Sequence, residues 1–410
     1  MPRQPAIAFI LVTVLIDVMG IGLLLPVIPS LVGEFTTSRD AQTYWYGALM
    51  VTFGLSQFLC SPLLGALSDR YGRRPVLLIS IAGLGTMFFL SAIVTSLPAL
   101  LATRVLGGAL AANFSVANAY VADITSPERR AKSFGKIGAA FGIGFIVGPA
   151  VGGMLGSIDI RLPFYAAAVL SLINAVYGVF VLPDSLPRDR RKAIEWGKAN
   201  PLSSLAGLAR LKTVGVLVVV IGLVSLAQFI LHGTWVLYTE FRFGWGPREN
   251  GLSLFVVGLA SAVMQGLLLG WLLKRLGERR LVIAGMLSGL VAFTLYGLAT
   301  AGWMMYAIIG ANLLGFAVAP GLNALVSKAA DPREQGLAMG SLSSLGSLMA
   351  VIAPMMGAPL LAAVSHLPAG DWRIGAPFFL SATLQVIALL LAVVHFRRHR
   401  PAPHVAADVR

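Results

Sequence analysis

The sequence predicts an all-α integral membrane protein whose twelve transmembrane helices form two pseudo-symmetric six-helix bundles. Three observations predict it. With 57% hydrophobic and 12% charged residues and a mean hydropathy of +0.83 over 410 residues, the chain is too apolar and too charge-poor to be soluble and globular. Runs of about 20 apolar residues, each enough to cross a bilayer as a helix, recur along its whole length and leave no room for a soluble catalytic domain. The charged turn Gly65-Ala66-Leu67-Ser68-Asp69-Arg70-Tyr71-Gly72-Arg73-Arg74-Pro75 has a degenerate echo at Gly270-Trp271-Leu272-Leu273-Lys274-Arg275-Leu276-Gly277-Glu278-Arg279, 205 residues later. A repeat at half the chain length marks a duplicated half.

The spans are expected at 7–28, 46–66, 76–96, 99–121, 134–156 and 163–182, then at 214–236, 250–272, 281–300, 303–326, 337–362 and 374–396. This divides the chain into an N-terminal bundle (1–182), a polar linker (183–213), a C-terminal bundle (214–396) and a tail (397–410). No cleavable signal is expected, because the first apolar run is long and is followed by further spans. With the N-terminus cytoplasmic, 25 of the 31 Lys and Arg residues fall on the cytoplasmic side. The positive-inside rule therefore places both termini and the linker in the cytoplasm. The net charge of +14 then reflects orientation, not nucleic-acid binding. The linker, with Arg188-Asp189-Arg190-Arg191-Lys192 and Pro183, Pro187 and Pro201, reads as a solvated strap.

In the first span, Asp17 sits about eleven residues in, followed by Gly20 and Gly22. A charge near mid-bilayer costs at least ~2.5 kcal/mol, so it should face a wet cavity or a partner. A partly desolvated acid there suits a group that picks up and releases protons, the alternative being a structural ion pair. In the second span, Gln57 is a candidate cavity residue. In the fourth, Arg104 opens a stripe continued by Gly108, Ala111, Ser115 and Asn118 at helical spacing, with Asn113 nearby. Its guanidinium stays charged and would act electrostatically on an acid or a substrate. The fifth span carries Gly144, Gly148, Gly152 and Gly156 every four residues, with Pro149 and Gly153 among them. That bare face admits a close neighbour, and the proline should bend the helix. Asn174, Gln228, Gln265, Asn312, Asn323 and Gln385 read first as interhelical glue, and His232 is expected near the outer end of span seven.

These residues identify a family. The chain resembles the major facilitator superfamily, whose signature matches Gly65 to Pro75. Asp17 to Gly22 with Pro26 and Pro29, Arg104 with Gly108, and the Gly148-Pro149 run resemble the motifs of its twelve-span drug:proton antiporters. Gln57 to Pro62, Ala122 to Thr125, Trp235 to Glu240 with Arg242 to Trp245, and Leu276 to Arg280 resemble tetracycline efflux proteins more narrowly. The resemblance implies the major facilitator fold, alternating access, and efflux of a small amphipathic drug in exchange for protons. The location it implies is a bacterial inner membrane.

It also implies that Asp17 and Arg104 bear on coupling, and that Asp69 steadies the outward-facing state against the start of span eleven near Gly336 to Gly340. Gly65 and Gly72 shape the turn with Arg74, and Arg70 and Arg73 join Asp69 to Asp123 and Arg129. The chain departs from the tetracycline pumps at Met87, Ser261 and Gly289, where those pumps carry ionisable groups, which leaves Asp17 as the one deep titratable candidate. A metabolite importer or symporter on the same fold is the alternative reading. An enzyme is not expected, since five histidines and one cysteine lie scattered. Nor are a metal, a cofactor or a nucleic acid. The partners expected are protons, a small molecule and the lipid bilayer, with the chain a monomer.

Overall fold

The computed structural model describes residues 7–111, 113–126, 129–186, 189, 191, 215–329 and 335–398, without the side chains of 113, 114, 130–132 and 335–338. The expected linker and the tail lie mostly outside the described residues. The first bundle comprises α1 (Ile7–Leu24), a short α2 (Ile28–Gly33), α3 (Arg39–Tyr71), α4 (Arg73–Ile93), α5 (Leu97–Leu110), α6 (Asn113–Ile124), α7 (Arg130–Gly156) and α8 (Leu162–Val181). The second comprises α9 (Gly215–Phe243), α10 (Pro247–Val263), a π-helical turn (Met264–Leu268), α11 (Leu269–Leu298), α12 (Gly302–Ala311), a 3₁₀ turn (Leu313–Ala317), α13 (Val318–Ala329), α14 (Gln335–Val364), a second 3₁₀ turn (Trp372–Gly375) and α15 (Ala376–Arg398).

Local sequence explains where helices begin. The Ser38 hydroxyl accepts a bond from the Ala41 amide at the head of α3, and prolines sit in the first turns of α5, α8 and α10. Among the described residues, ten stretches are long and apolar enough to cross a membrane, and α12 with the helix after it forms an eleventh, bent by 52°. The run Pro247–Leu298 is one of the ten yet holds 52 residues, about 78 Å of helix, more than two crossings of a ~30 Å core. It folds back at Gly277, whose φ of 72° and ψ of 162° are not helical. The crossings are therefore twelve.

Two expectations differ in detail. Span ten, read as a single helix, is broken at Asn312. Span seven reaches Phe243, so His232 lies well inside α9 rather than near its end.

The apolar core is forked. At one end a single cluster joins both bundles, with Leu31, Tyr46 and Leu49 from the first and Trp235, Tyr238 and Leu361 from the second. At the other end the clusters are separate. Ile10, Leu77, Tyr120 and Ile137 belong to one, and Val220, Val282, Leu322 and Phe396 to the other. The joined end is also where each bundle uses an arginine to bond carbonyls at helix ends or in the loop between helices. Arg161 donates to the oxygens of Ala92 (2.9 Å) and Val94 (3.2 Å). Arg242 donates to those of Ala299, Ala369 and Asp371 at 3.0, 2.7 and 2.6 Å.

Candidate functional site

Small residues bring the bundles together at the joined end. Along α7, Gly144, Gly148 and Gly152 face α1. A Cβ on Gly148 would lie 2.9 Å from both the Gly22 Cα and the Met19 carbonyl, and one on Gly152 would collide with the Leu23 backbone. Gly153, one step round the helix, faces the other bundle, where a Cβ would lie 2.8 Å from the Gly251 Cα of α10. A second crossing sets Gly47 of α3 against Ala358 of α14, and Gly54 lies further along toward Val351. Near it, Gln42 Nε2 donates to Glu240 Oε1 (3.2 Å) and to the Pro29 carbonyl (3.0 Å), while Arg39 lies over the Phe241 ring.

Toward the forked end the helices diverge. Gly65, Gly138, Gly142 and Gly340 have open space where a Cβ would be. A cavity of about 770 Å³ lies between the bundles, lined by Gln57, Ser61, Ser115 and Asn118 on one side and by Phe229, Ser343 and Ser347 on the other. Gln57 also reaches span four, its Nε2 donating to the Ala111 carbonyl at 3.1 Å. The Asn113 side chain lies outside the described residues.

The stripe that begins at Arg104 has two settings. Ser115 and Asn118 line the cavity, whereas Arg104 is only 5% exposed, donates from one Nη to Ser91 Oγ (3.0 Å) and lies over the Phe53 ring at 5.8 Å. Gly108 packs on the Phe53 backbone. Asp17 is buried at 8% exposure.

At the forked end of the first bundle, Arg73 is the hub. It pairs with Asp69 (2.6 Å) and Asp123 (3.1 Å) and donates to Ser68 Oγ at 2.6 Å. Arg74 donates to the Val179 carbonyl. Two expected members stand apart: Arg70 lies over the ring of Tyr71, and Arg129 is exposed. Gly336 and its neighbours to Ala338 lie outside the described side chains. Sequence reading missed Asp184, which accepts from the Arg73 amide (3.1 Å) and pairs with Arg191 (2.8 Å). Gly72, at φ 105°, leaves the space that Asp184 fills, since a Cβ there would strike its carboxylate. The available signal was an acid two residues past the end of span six.

Residues 10–354 and 217–410 match the profile of the Major Facilitator Superfamily. The chain belongs to that superfamily. It is 38% identical over 381 residues to the class C tetracycline resistance protein of Escherichia coli, covering 93% of this chain and 96% of that one. It is 35% identical over 405 residues to the class D tetracycline resistance protein of Salmonella ordonez, covering 98% and 99%. The crystal structure of the human organic anion transporter MFSD10 (TETRAN) superposes with a TM-score of 0.68 at 27% identity, covering 94% of this chain and 98% of that one. The superfamily comprises transporters, and this member is a multi-pass membrane transport protein rather than an enzyme.

A second cavity in this superfamily member, about 660 Å³, lies within the second bundle and adjoins the first through Phe229. His232, Gln228, Ser261 and Gln265 line it with Trp235, Phe293 and Tyr296. Several side chains read from sequence as helix glue therefore face open space.

Proposed function

We propose that the chain is a proton-coupled antiporter that exports a small amphipathic compound, tetracycline-like in kind, from the cytoplasm by alternating access. The forked core carries this reading. Bundles that share one core at one end and keep separate cores at the other are two bodies that can rock about the space between them. The bodies are residues 1–182 and 214–396, with 183–213 as the strap and 397–410 as the tail. The excess of Lys and Arg puts the forked end in the cytoplasm of a bacterial inner membrane, so this state faces inward. The tetracycline resistance relatives support the choice of a drug as cargo and export as the direction.

Within that cycle Asp17 carries the proton and Arg104 sets the electrostatics of the first bundle. Gln57, Asn113, Ser115 and Asn118 form one wall of the path. The glycine faces of α7 and the Gly47·Ala358 crossing close the outer side, and must part for cargo to leave. Asp69, here paired with Arg73, exchanges that partner for the head of α14 when the forked end closes, a shift in a two-state equilibrium.

Expression in a bacterial host lacking its own pumps tests the reading. Tolerance should rise for tetracycline or another amphipathic drug, and a protonophore should abolish the rise. Protection that persists with the protonophore, or accumulation of the compound in place of export, overturns it.

A further inference from the structure

We propose that the cavity inside the second bundle is a cargo seat, and that it selects a fused-ring aromatic compound that is uncharged overall and carries no metal ion. This deepens the proposed export function and rests on it. The volume of about 660 Å³ falls in the range of small-molecule sites, and the shared Phe229 gives access from the space between the bundles.

Its chemistry is one-sided. Trp235 and Tyr296 meet edge to face at 5.1 Å, and Trp235 is held by its indole N–H on Ser253 Oγ at 2.9 Å. Together with Phe293 they make a preformed aromatic wall for a flat apolar ring system. The polar lining is neutral: amides of Gln228, Gln265, Asn312 and Gln385, with His232 bonded to Gln228 at 3.1 Å. Among the described residues, no Asp, Glu, Lys or Arg lines this cavity. A cargo bearing a hard divalent cation would want oxygen ligands, carboxylates first, and among the described residues no group of three or more His, Cys, Asp or Glu is placed to hold one.

Two polar groups differ in what they offer the cargo. Gln385, 3% exposed, donates its Nε2 to the Met286 carbonyl at 3.2 Å, while its Oε1 has no partner. Tyr296, also 3% exposed, accepts at its carbonyl from Tyr238, and its own hydroxyl bonds to no described residue. The Gln385 oxygen is enclosed, whereas Tyr296 lines the cavity, so a cargo with a hydrogen-bonding group at its rim pairs with the Tyr296 hydroxyl. The same amide crowds Gly289, where a Cβ would lie 3.3 Å from Gln385 Nε2.

The test is equilibrium binding of tritiated tetracycline to the purified full chain in nanodiscs, with magnesium or with excess EDTA. Free of metal, this probe is a four-ring zwitterion of no net charge. Removing magnesium should leave the affinity within twofold. Ser261→Trp, which fills the cavity, should weaken binding about tenfold or more, and Tyr296→Phe about threefold, as expected for one lost hydrogen bond. A requirement for magnesium, wild-type affinity in Ser261→Trp, or no binding in either buffer overturns the proposal. Should Ser261→Trp fail to insert, Tyr296→Phe decides alone, with unchanged affinity overturning it. Binding needs no proton gradient. Intact binding with no proton-driven flux in proteoliposomes would therefore overturn the antiport reading and leave the seat standing.

Discussion

Gly72 and Gly277 hold the same place in their bundles, 205 residues apart, and both adopt positive φ, 105° and 72°. The residue after each glycine reaches the last turns of its bundle's fourth span, and the partners are again 205 residues apart. In the first bundle the pair is Arg73 with Asp123 (3.1 Å); in the second it is Glu278 with Lys328 (2.5 Å), the same contact with its charges reversed. What duplication retained is the glycine turn and the position of the pair; the sign was free to change. The settings differ too. The Arg73 side chain is 10% exposed and holds Asp69 and Ser68 besides Asp123, whereas Lys328 is 69% exposed. The membrane interior repeats the asymmetry. Asp17 in the first bundle corresponds to Gly222 in the second, and Arg104 to Ile309. On the proposed reading the coupling charges Asp17 and Arg104 have no charged counterpart in the second bundle.

The largest test of this division is Asp17→Asn. It should abolish efflux driven by a pH gradient, a loss of about a hundredfold or more for a deleted essential proton carrier. Exchange of cargo without a gradient should persist, because the amide stands in for the protonated acid. Both fluxes are measured in proteoliposomes at matched protein content. Equal loss of the two would assign Asp17 to structure. Survival of proton-driven efflux would move the coupling elsewhere, with Asp123 and His232 the next groups to substitute.

Next come the two crossings at the joined end. Gly153 meets Gly251 backbone to backbone, while Ala358, its counterpart 205 residues on, already carries a methyl against Gly47. Gly153→Val should force α7 and α10 apart and cut transport about tenfold or more, since overpacking a tight contact costs ~1–3 kcal/mol. Ala358→Gly should be nearly silent. Cysteine cross-linking across Gly47 and Ala358 reports whether the joined end still closes. An active Gly153→Val protein would show that this face does not take part in rocking.

The architecture was legible because its signals are long. Twelve apolar runs and one repeat fix the crossings and the two bundles. The break at Asn312 was not legible, because no proline or charge marks it; it depends on tertiary packing, with Ser288 donating to the Asn312 side chain. Site residues divide in the same way. Arg73 with Asp69 and Asp123 could be anticipated from a motif, but Asp184 arrives from beyond span six and only the folded chain brings it to Gly72. The wall of the second cavity was hardest to see: Gln228, Gln265, Asn312 and Gln385 are ordinary glue residues singly, and only their convergence makes a lining.

Arg73→Glu should cut transport about tenfold, because it leaves Asp69 and Asp123 facing a like charge in a half-buried site where charged hydrogen bonds contribute ~1.5–3 kcal/mol. The double variant Arg73→Glu with Asp123→Arg should not recover, since Asp69 still meets a negative neighbour.

The smallest expected effect is on the reversed pair. Glu278→Lys sets two lysines together at a contact whose other partner is largely exposed, and exposed pairs contribute only ~0–1 kcal/mol. Transport should therefore fall no more than about threefold, and Glu278→Lys with Lys328→Glu should restore it, since among the described residues no second ion pair is shown on either partner. Transport rates of the four variants at matched abundance measure the difference directly. If the second-bundle swap fails as badly as the first, the two turns are equal partners in the cycle. Recovery confined to the second bundle means that Arg73 is tied to its neighbours and Glu278 is not, which is what the contacts at each turn require.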